Sequence, residues 1–439
     1  MLKHCLNFLT SLRLTVVLLG LALILVFVGT LSEVQLGLYQ AQAQIFRSFF
    51  VYWNPSGSHL KIPVFPGGWF IGLALLINLL AAHVKRFQVS KKKIGILLIH
   101  AGLIVLLLGQ FLTESYQVES QMVIDIGGSK NYAEDSRKHE LAIKDVTDPK
   151  LDNVVLIPES LLVSGAVIQP PGLPITLHVK NYFKNSDPVI PMDPRPKLQA
   201  ANGLGQKLHF AEDPEVKTMD DEDRPTALVE VQADGKIVGE WTESVYFTEP
   251  RPMLALQGWI AAIEKQMHEM GNTNYTMGVA LDAPQQFAVG GHTYEIALRM
   301  VRYYKPYTIS LISFTHDTYA GTDLPSNFAS KIHLSDPAHG EDRDVLIRMN
   351  SPLRYGGETF YQASFLPGDQ TSILEVVKNP AAITPYLACS LVALGLVTQF
   401  LMHLYGFFRK RAQVAAAPVA GRKPGKIPVP ALAGKRSNL

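Results

Sequence analysis

Four long uncharged runs punctuate the chain: residues 14–31 (LTVVLLGLALILVFVGTL), 64–82 (VFPGGWFIGLALLINLLAA), 94–112 (IGILLIHAGLIVLLLGQFL) and 381–408. An α-helix rises about 1.5 Å per residue, so ~20 apolar residues cross ~30 Å of hydrocarbon. A surface helix of a soluble protein carries a polar stripe at 3.6-residue spacing, and these runs carry none. The pattern therefore predicts four transmembrane α-helices. The first run is longer than the ~7–15 residues of a signal-peptide core. No small-x-small cleavage pattern follows at Thr30, Leu31 and Ser32, so the run reads as a retained span.

The stretch between the third and fourth runs has a different period. Ile175, Leu177 and Val179 alternate with Thr176, His178 and Lys180, the signature of a half-buried strand. Segments 227–232 and 236–241 flank Ala-Asp-Gly, and Gly290 and Gly291 separate QFAV from HTYEIALRMVRYY; both read as hairpins. Further strands are expected at 307–314, 328–334, 345–349 and 371–377, and one amphipathic helix at 256–270, stopped by Gly271. Residues 185–225, rich in Pro, Asp, Asn and Gly, read as a long loop. The Ala-, Pro- and Lys-rich tail after 412 reads as disordered.

Charge orients this arrangement. Lys3 and Arg13 precede the first span, five basic residues from Lys85 to Lys93 lie between spans two and three, and eight follow span four, with no acid in any of the three stretches. Residues 113–380 carry 23 Lys plus Arg against 37 Asp plus Glu, a net charge of −14. Basic residues flanking spans stay in the cytoplasm. The expected layout is three N-terminal transmembrane helices within 1–112, a large mainly-β extracytoplasmic domain at 113–380, a fourth span at 381–408 and a basic cytoplasmic tail at 409–439. Such a chain sits in the bacterial cytoplasmic membrane with both termini inside and its large domain in the periplasm or outside.

Only two cysteines occur, Cys5 and Cys389. The large domain holds none, which excludes a disulfide framework and a CxxC redox pair. No GxSxG elbow, HExxH helix or Walker loop occurs, and His316-Asp317 stands without the rest of a hydrolytic set. Ionisable groups inside spans are functional candidates by default. Here they are histidines: His83 at the end of the second span, His100 in the third and His403 in the fourth. At ~1.5 Å per residue, His100 and His403 lie about 7–10 Å from the same membrane face. A neutral imidazole is a good haem-iron ligand. The bland readings remain beside this one: His83 snorkelling near the basic loop, and His403 hydrogen-bonding a neighbouring helix.

Three stretches resemble the ResB (CcsB) family of system II cytochrome c biogenesis proteins. They are the N-terminal block (SLRLTVVLLGLALILVFVGTLSE, FPGGWFIGLALLINLLAAHVKRF and IGILLIHAGLIVLLLGQF), the segment YYKPYTISLISFTHDTYAGTDLPSNFASKIHL, and IRMNSPLRYGGETFYQASF continuing through TSILEVVKNPAAITPYL into the last span. The resemblance implies a subunit that helps carry haem across the membrane and presents apocytochrome c for covalent haem attachment. It implies a transiently held haem b, with His100 of the IHAGL motif as the iron ligand; His83 and His403 are added on position alone. It also implies a separate CcsA/ResC-like membrane partner with a WWD loop, because this chain has four tryptophans and no such stretch. A thiol-disulfide reductant protein would keep the apocytochrome thiols reduced. No nucleic-acid partner is implied. The chain reads as a non-catalytic subunit of a haem-attachment synthetase complex. Two alternatives stand: a purely structural partner of the haem-binding CcsA/ResC protein, and a membrane-anchored β-ectodomain sensor or adhesion protein.

Overall fold

The computed structural model describes residues 7–53, 61–86, 93–148, 153–216, 221–281, 283–318, 321 and 325–416. Lys3, Cys5, Lys91, Lys92, Asp220 and the basic tail beyond 416 lie outside the described residues. The helices in chain order are α1 (Leu12–Ala41), α2 (Gly68–Arg86), α3 (Ile94–Tyr116), α4 (Pro250–Glu269) and α5 (Thr384–Ala416). All except α4 are long and apolar enough to cross a membrane. The protein is a membrane protein, with four such helices among the described residues and a large, mostly β region between the third and the fourth.

The second run starts later than its apolar composition suggests. Strands β1 (Phe50–Trp53) and β2 (Ile62–Pro66) form an antiparallel hairpin that takes Val64, Phe65 and Pro66 out of the helix. Pro66 cannot donate within a helix interior, so α2 begins beyond it.

The chain divides into two compact units, the first built from the described parts of Met1–Thr15, Leu75–Phe111 and Ala382–Leu439. Within it, α3 and α5 run antiparallel along a line of glycines. A Cβ at Gly102 would lie 2.7 Å from Val392 Cγ2 and 2.8 Å from the carbonyl oxygen of Ala388. One at Gly95 would lie 2.9 Å from the backbone nitrogen of Gln399, and one at Gly109 would overlap the Thr384 side chain. Gly95, Gly102 and Gly109 are spaced by seven residues and stay on one face, so the backbones approach closely, as membrane helices do where small residues align. Asn78 of α2 is buried, with its amide satisfied: Nδ2 donates to the carbonyl of Leu9 at 2.6 Å, and Oδ1 accepts from Thr15 Oγ1 at 2.6 Å. These bonds anchor Leu9, just before α1, and Thr15 in its first turn.

The second unit, Val16–Ala74 and Leu112–Ala381, holds the β structure. Its strands in order are β3 (Val118–Asp125), β4 (Ser129–Asp145), β5 (Asn153–Pro158), β6 (Val167–Ile168), β7 (Thr176–Phe183), β8 (Ser186–Val189), β9 (Lys197–Leu198), β10 (His209–Glu212), β11 (Thr226–Ala233), β12 (Lys236–Ser244), β13 (Gln285–Val289), β14 (His292–Thr318), β15 (Pro325–Asp336), β16 (Glu341–Arg348), β17 (Leu353–Tyr355), β18 (Glu358–Phe365) and β19 (Thr371–Lys378). The largest sheet runs β16-β15-β14-β4-β3-β19-β18-β17, with β13 added on β14 and β5 on β4. A second sheet runs β12-β11-β7-β6.

The long strand β14 serves two cores. Its first half brings Tyr294, Ile296 and Leu298 against Leu177, Val179, Val229 and Val231 of the second sheet, as two β layers packed face to face. Its second half brings Tyr307, Ile309 and Leu311 to a separate core with Met122, Ile332, Phe360 and Leu374. The ladder between β14 and β4 slips between Tyr304 and Ile309. Pro306 sits in that gap; it has no N–H to give the ladder, so the pairing of β14 with β4 is interrupted where the cores change over.

The stretch 185–225 is not the plain loop its composition suggests. It contains β8, β9 and β10, which form a small three-stranded sheet in the order β8-β10-β9. Phe210 of β10 is fully buried among Leu208, Tyr246 and Leu256, and Leu256 projects from α4.

Candidate functional site

Helix packing separates His403 from the other two histidines of the apolar helices. Helical residues advance 100° each, so His100 lies about 160° around α3 from Gly102 and points away from α5. It meets His83 of α2 instead: the two imidazoles make an edge contact with ring centroids 5.0 Å apart and planes at 72°. His403, on α5, is exposed, and its Nε2 lies 2.8 Å from Nε2 of Gln399, one turn earlier. His100 and His403 do not share one depth. With Gly95 against Gln399 and Gly102 against Ala388 and Val392, the antiparallel register sets His403 about ten residues, ~15 Å, along the helix pair from His100. His403 therefore sits beside Gln399 and His100 beside His83.

Either imidazole of the His83–His100 pair, but not both together, could hold a haem through a ring nitrogen. His83 and His100 are both half-buried imidazoles. Two imidazoles on opposite sides of one iron, each bonded at about 2 Å, would have ring centres ~6 Å apart with the porphyrin between them. The edge contact of His83 with His100 leaves no room for that plane. One of the pair can ligate while the other hydrogen-bonds or orients it.

A second site lies in the β region and was not singled out in the sequence as chemistry. Two of the stretches quoted above, YYKPY (residues 303–307) and RYGGE (residues 354–358), converge there on a cavity of about 410 Å³. Its walls include Tyr304, Lys305, Tyr307, Asp336, Tyr355 and Glu358. The interruption at Pro306 places Lys305 inside, with only 3% of its side chain exposed. A buried ammonium requires a partner, and Lys305 Nζ donates to both carboxylate oxygens of Glu358, at 2.8 and 2.7 Å. Tyr307 donates its hydroxyl to Glu358 Oε2 at 2.6 Å. Burial, then the Glu358 carboxylate, push the Tyr307 phenol far above its ordinary value, so it stays protonated.

Glu358 is held by a two-residue turn. Tyr355 pairs with Glu358 across Gly356 and Gly357, whose φ values of 59° and 77° are those of the tight turn that matches strand twist. Gly356 also faces Tyr307: a Cβ there would lie 2.9 Å from the phenol ring. On the neighbouring hairpin, Asp336 ends β15. Its Oδ2 accepts from Tyr355 Oη at 2.7 Å and lies 2.8 Å from His339 Nδ1. Its Oδ1 is buried and, among the described residues, has no hydrogen-bond partner. The Tyr355 hydroxyl first, and then His339, hold the Asp336 carboxyl below the usual carboxylate range, so it is ionised.

Several other histidines find carboxylates. His316 pairs with Asp369 at 3.2 Å, not with its sequence neighbour, and stacks on Phe365 at 4.8 Å. His333 contacts Asp342 and Asp344, and His139, buried, contacts Glu159. Among the described residues no cluster of three or more His, Cys, Asp or Glu has the arrangement of a metal site.

Comparison with known proteins bears on the same region. Residues 270–373 match the model of the ResB-like family. The chain is 33% identical over 96 residues to Protein NrfI of Wolinella succinogenes. That match covers 22% of this chain and 11% of NrfI, so the chain aligns with only a small part of that relative. The family match contains Lys305, Asp336 and Glu358, and every other residue of the cavity lining except Lys378. Over this region the chain is similar to the ResB-like family.

Proposed function

We propose that this protein is a membrane subunit of a cytochrome c biogenesis complex, one that assists haem passage and presents apocytochrome c for attachment. The family match at 270–373 carries this reading, supported by the four apolar helices and an imidazole pair within the membrane. In this reading both termini are cytoplasmic and the β region is extracytoplasmic, a placement that the basic flanks and the net −14 of residues 113–380 favour.

His100 is the proposed haem contact, and His83 orients it or shares a proton with it. His403 is a second candidate on a different helix, beside Gln399. Haem supplies the iron and the vinyl groups to which two reduced cysteine thiols add. The residues of this chain would hold and orient the group and exclude water. The absence of cysteine from residues 113–380 leaves thiol reduction to another protein. The proposed partner is a CcsA/ResC-like membrane protein with a WWD loop.

Purification of the chain without that partner tests the assignment at His100. The expected result is bound haem b with a histidine-ligated Soret band that His100→Ala abolishes. A colourless wild-type protein would favour the second reading, a structural subunit whose partner binds haem alone.

A further inference from the structure

The residues that join α1 to α2 fold back on the first span and leave a group of aromatic side chains bare. Gly37 has φ 74° and ψ 160°, a conformation open to glycine and outside the helix. A continuous helix would hold Gly29 and Phe46 about 26 Å apart. Instead a Cβ at Gly29 would overlap the Phe46 ring, and one at Gly68 would overlap the Phe46 carbonyl oxygen. The chain therefore reverses at Gly37, buries Ala41 and Ile45 on the returning segment, and brings Phe46 to the first residue of α2. Two counts place that junction. Gly29 stands 17 residues beyond Leu12, the start of α1, and α2 runs 19 residues from Gly68 to Arg86. Both lengths come to about 26–28 Å, close to the ~30 Å of hydrocarbon. Phe46 and Gly68 thus lie at the membrane boundary remote from Lys85 and Arg86.

Strands β1 and β2 leave from this point as a two-stranded ribbon that pairs with no other strand among the described residues. Phe49 stacks on Trp69 and Phe50 lies against Phe70, yet Phe49, Phe50, Tyr52, Trp53 and Val64 each stay 40–58% exposed. Residues 48–53 and 62–70 carry no charge. A lone two-stranded ribbon is marginal in water, and bare aromatic rings add to the cost. We propose that β1 and β2 lie in the boundary layer of the bilayer, with Tyr52 and Trp53 between phospholipid headgroups and acyl chains. Three observations favour lipid over a protein partner. The ribbon is continuous at both ends with membrane-spanning helices, it starts at their boundary depth, and its surface is uncharged. Phenol and indole suit that layer because each joins an apolar body to a polar tip. So placed, the ribbon fixes the depth of the α1–α2 junction. The inference rests on the spans alone and requires neither haem at His100 nor a particular side of the membrane.

The test uses the full chain in phosphatidylcholine liposomes. Nitroxide labels go on Trp53→Cys, Val64→Cys and, as a control on the β11–β12 turn, Asp234→Cys, each with Cys5→Ser and Cys389→Ser. Power-saturation electron paramagnetic resonance then compares collisions with oxygen, which concentrates in hydrocarbon, and with a nickel chelate confined to water. The oxygen-to-nickel ratio is expected to be several-fold higher at 53 and 64 than at 234. Unlabelled protein gives a second measurement should those variants fail to fold. In liposomes of lipid brominated near the top of the acyl chains, wild-type tryptophan emission should be quenched, and Trp53→Phe should lose less of its emission than wild type. Ratios at 53 and 64 equal to that at 234 would overturn the proposal, as would equal quenching of wild type and Trp53→Phe. Labels reached by neither collider would overturn it in favour of a protein contact, with a second copy of this chain as the partner. None of these results alters the Soret experiment on His100→Ala, so the two proposals fail separately.

Discussion

Replacing Lys305 by methionine removes the cation from a pair with almost no access to water. The lysine side chain is 3% exposed and the Glu358 side chain 14%. Methionine fills nearly the same volume, so packing changes little. What changes is Glu358, which keeps only the Tyr307 hydroxyl at 2.6 Å as a donor within the pair's surroundings. Breaking a buried pair from one side costs about 3–5 kcal/mol, because an uncompensated charge is left inside. For a domain of this size that is a fall in Tm of roughly 6–20 °C. Removing both charges together should cost much less. Lys305→Met combined with Glu358→Gln keeps an acceptor for Tyr307 and leaves no buried charge, so it should recover most of the loss. Near-UV circular dichroism of the detergent-solubilised chain during heating, over the four members of the cycle, measures the coupling. A single Lys305→Met variant melting within about 1 °C of wild type, or additive losses in the cycle, would refute a dry pair and the inward turn at Pro306 with it.

Other expectations follow from the same packing arguments. Gly102→Ala should lose helix-pair stability by about 0–2 kcal/mol, since an overpacking cost of about 1–3 outweighs a propensity gain of up to about 1. Gly20→Ala, where a Cβ meets nothing within 4 Å, should gain stability; melts that rank the two variants the other way would contradict the α3–α5 contact. Burial first, then the neighbouring Glu134 charge, push the Glu249 carboxyl from the ordinary 4.5 up to about 7. The folded state then binds more protons than the unfolded one between those values, so stability falls as pH rises from 4.5 to 7, by on the order of 3 kcal/mol. Glu249→Gln should flatten that slope in denaturant titrations while leaving the part due to Glu243, which burial shifts the same way; an unchanged slope would show that Glu249 does not contribute. A cysteine placed at Asp234, the exposed tip of the β11–β12 turn, should react with an impermeant maleimide in spheroplasts. Labelling only after lysis would reverse the proposed topology.

The spans were legible because length and missing charge decide them, and no packing partner is needed for that. The strand alternation around Leu177 and Val179 was legible for a similar reason, since one face is buried throughout. Residues 185–225 were not, because composition rich in Pro and Gly hides strands of two to four residues that hold only through Phe210 and its neighbours. Counting along the chain put His100 and His403 at one depth, but the register in which the glycine face docks on α5 sets them about ten residues apart and fixes their rotation, and neither is written in either helix alone. The Lys305 site left one local trace, a lysine and a proline within an otherwise alternating strand. Asp336 left none: its role exists only once the β15–β16 and β17–β18 hairpins lie side by side.

The functional account is tested most directly by deleting the coding sequence in its host and staining membrane and soluble fractions for covalently bound haem. The account predicts that c-type cytochromes disappear and return with the wild-type chain but not with His100→Ala. Undiminished c-type cytochromes in the deletion strain would contradict it and would favour the sensor or adhesion reading.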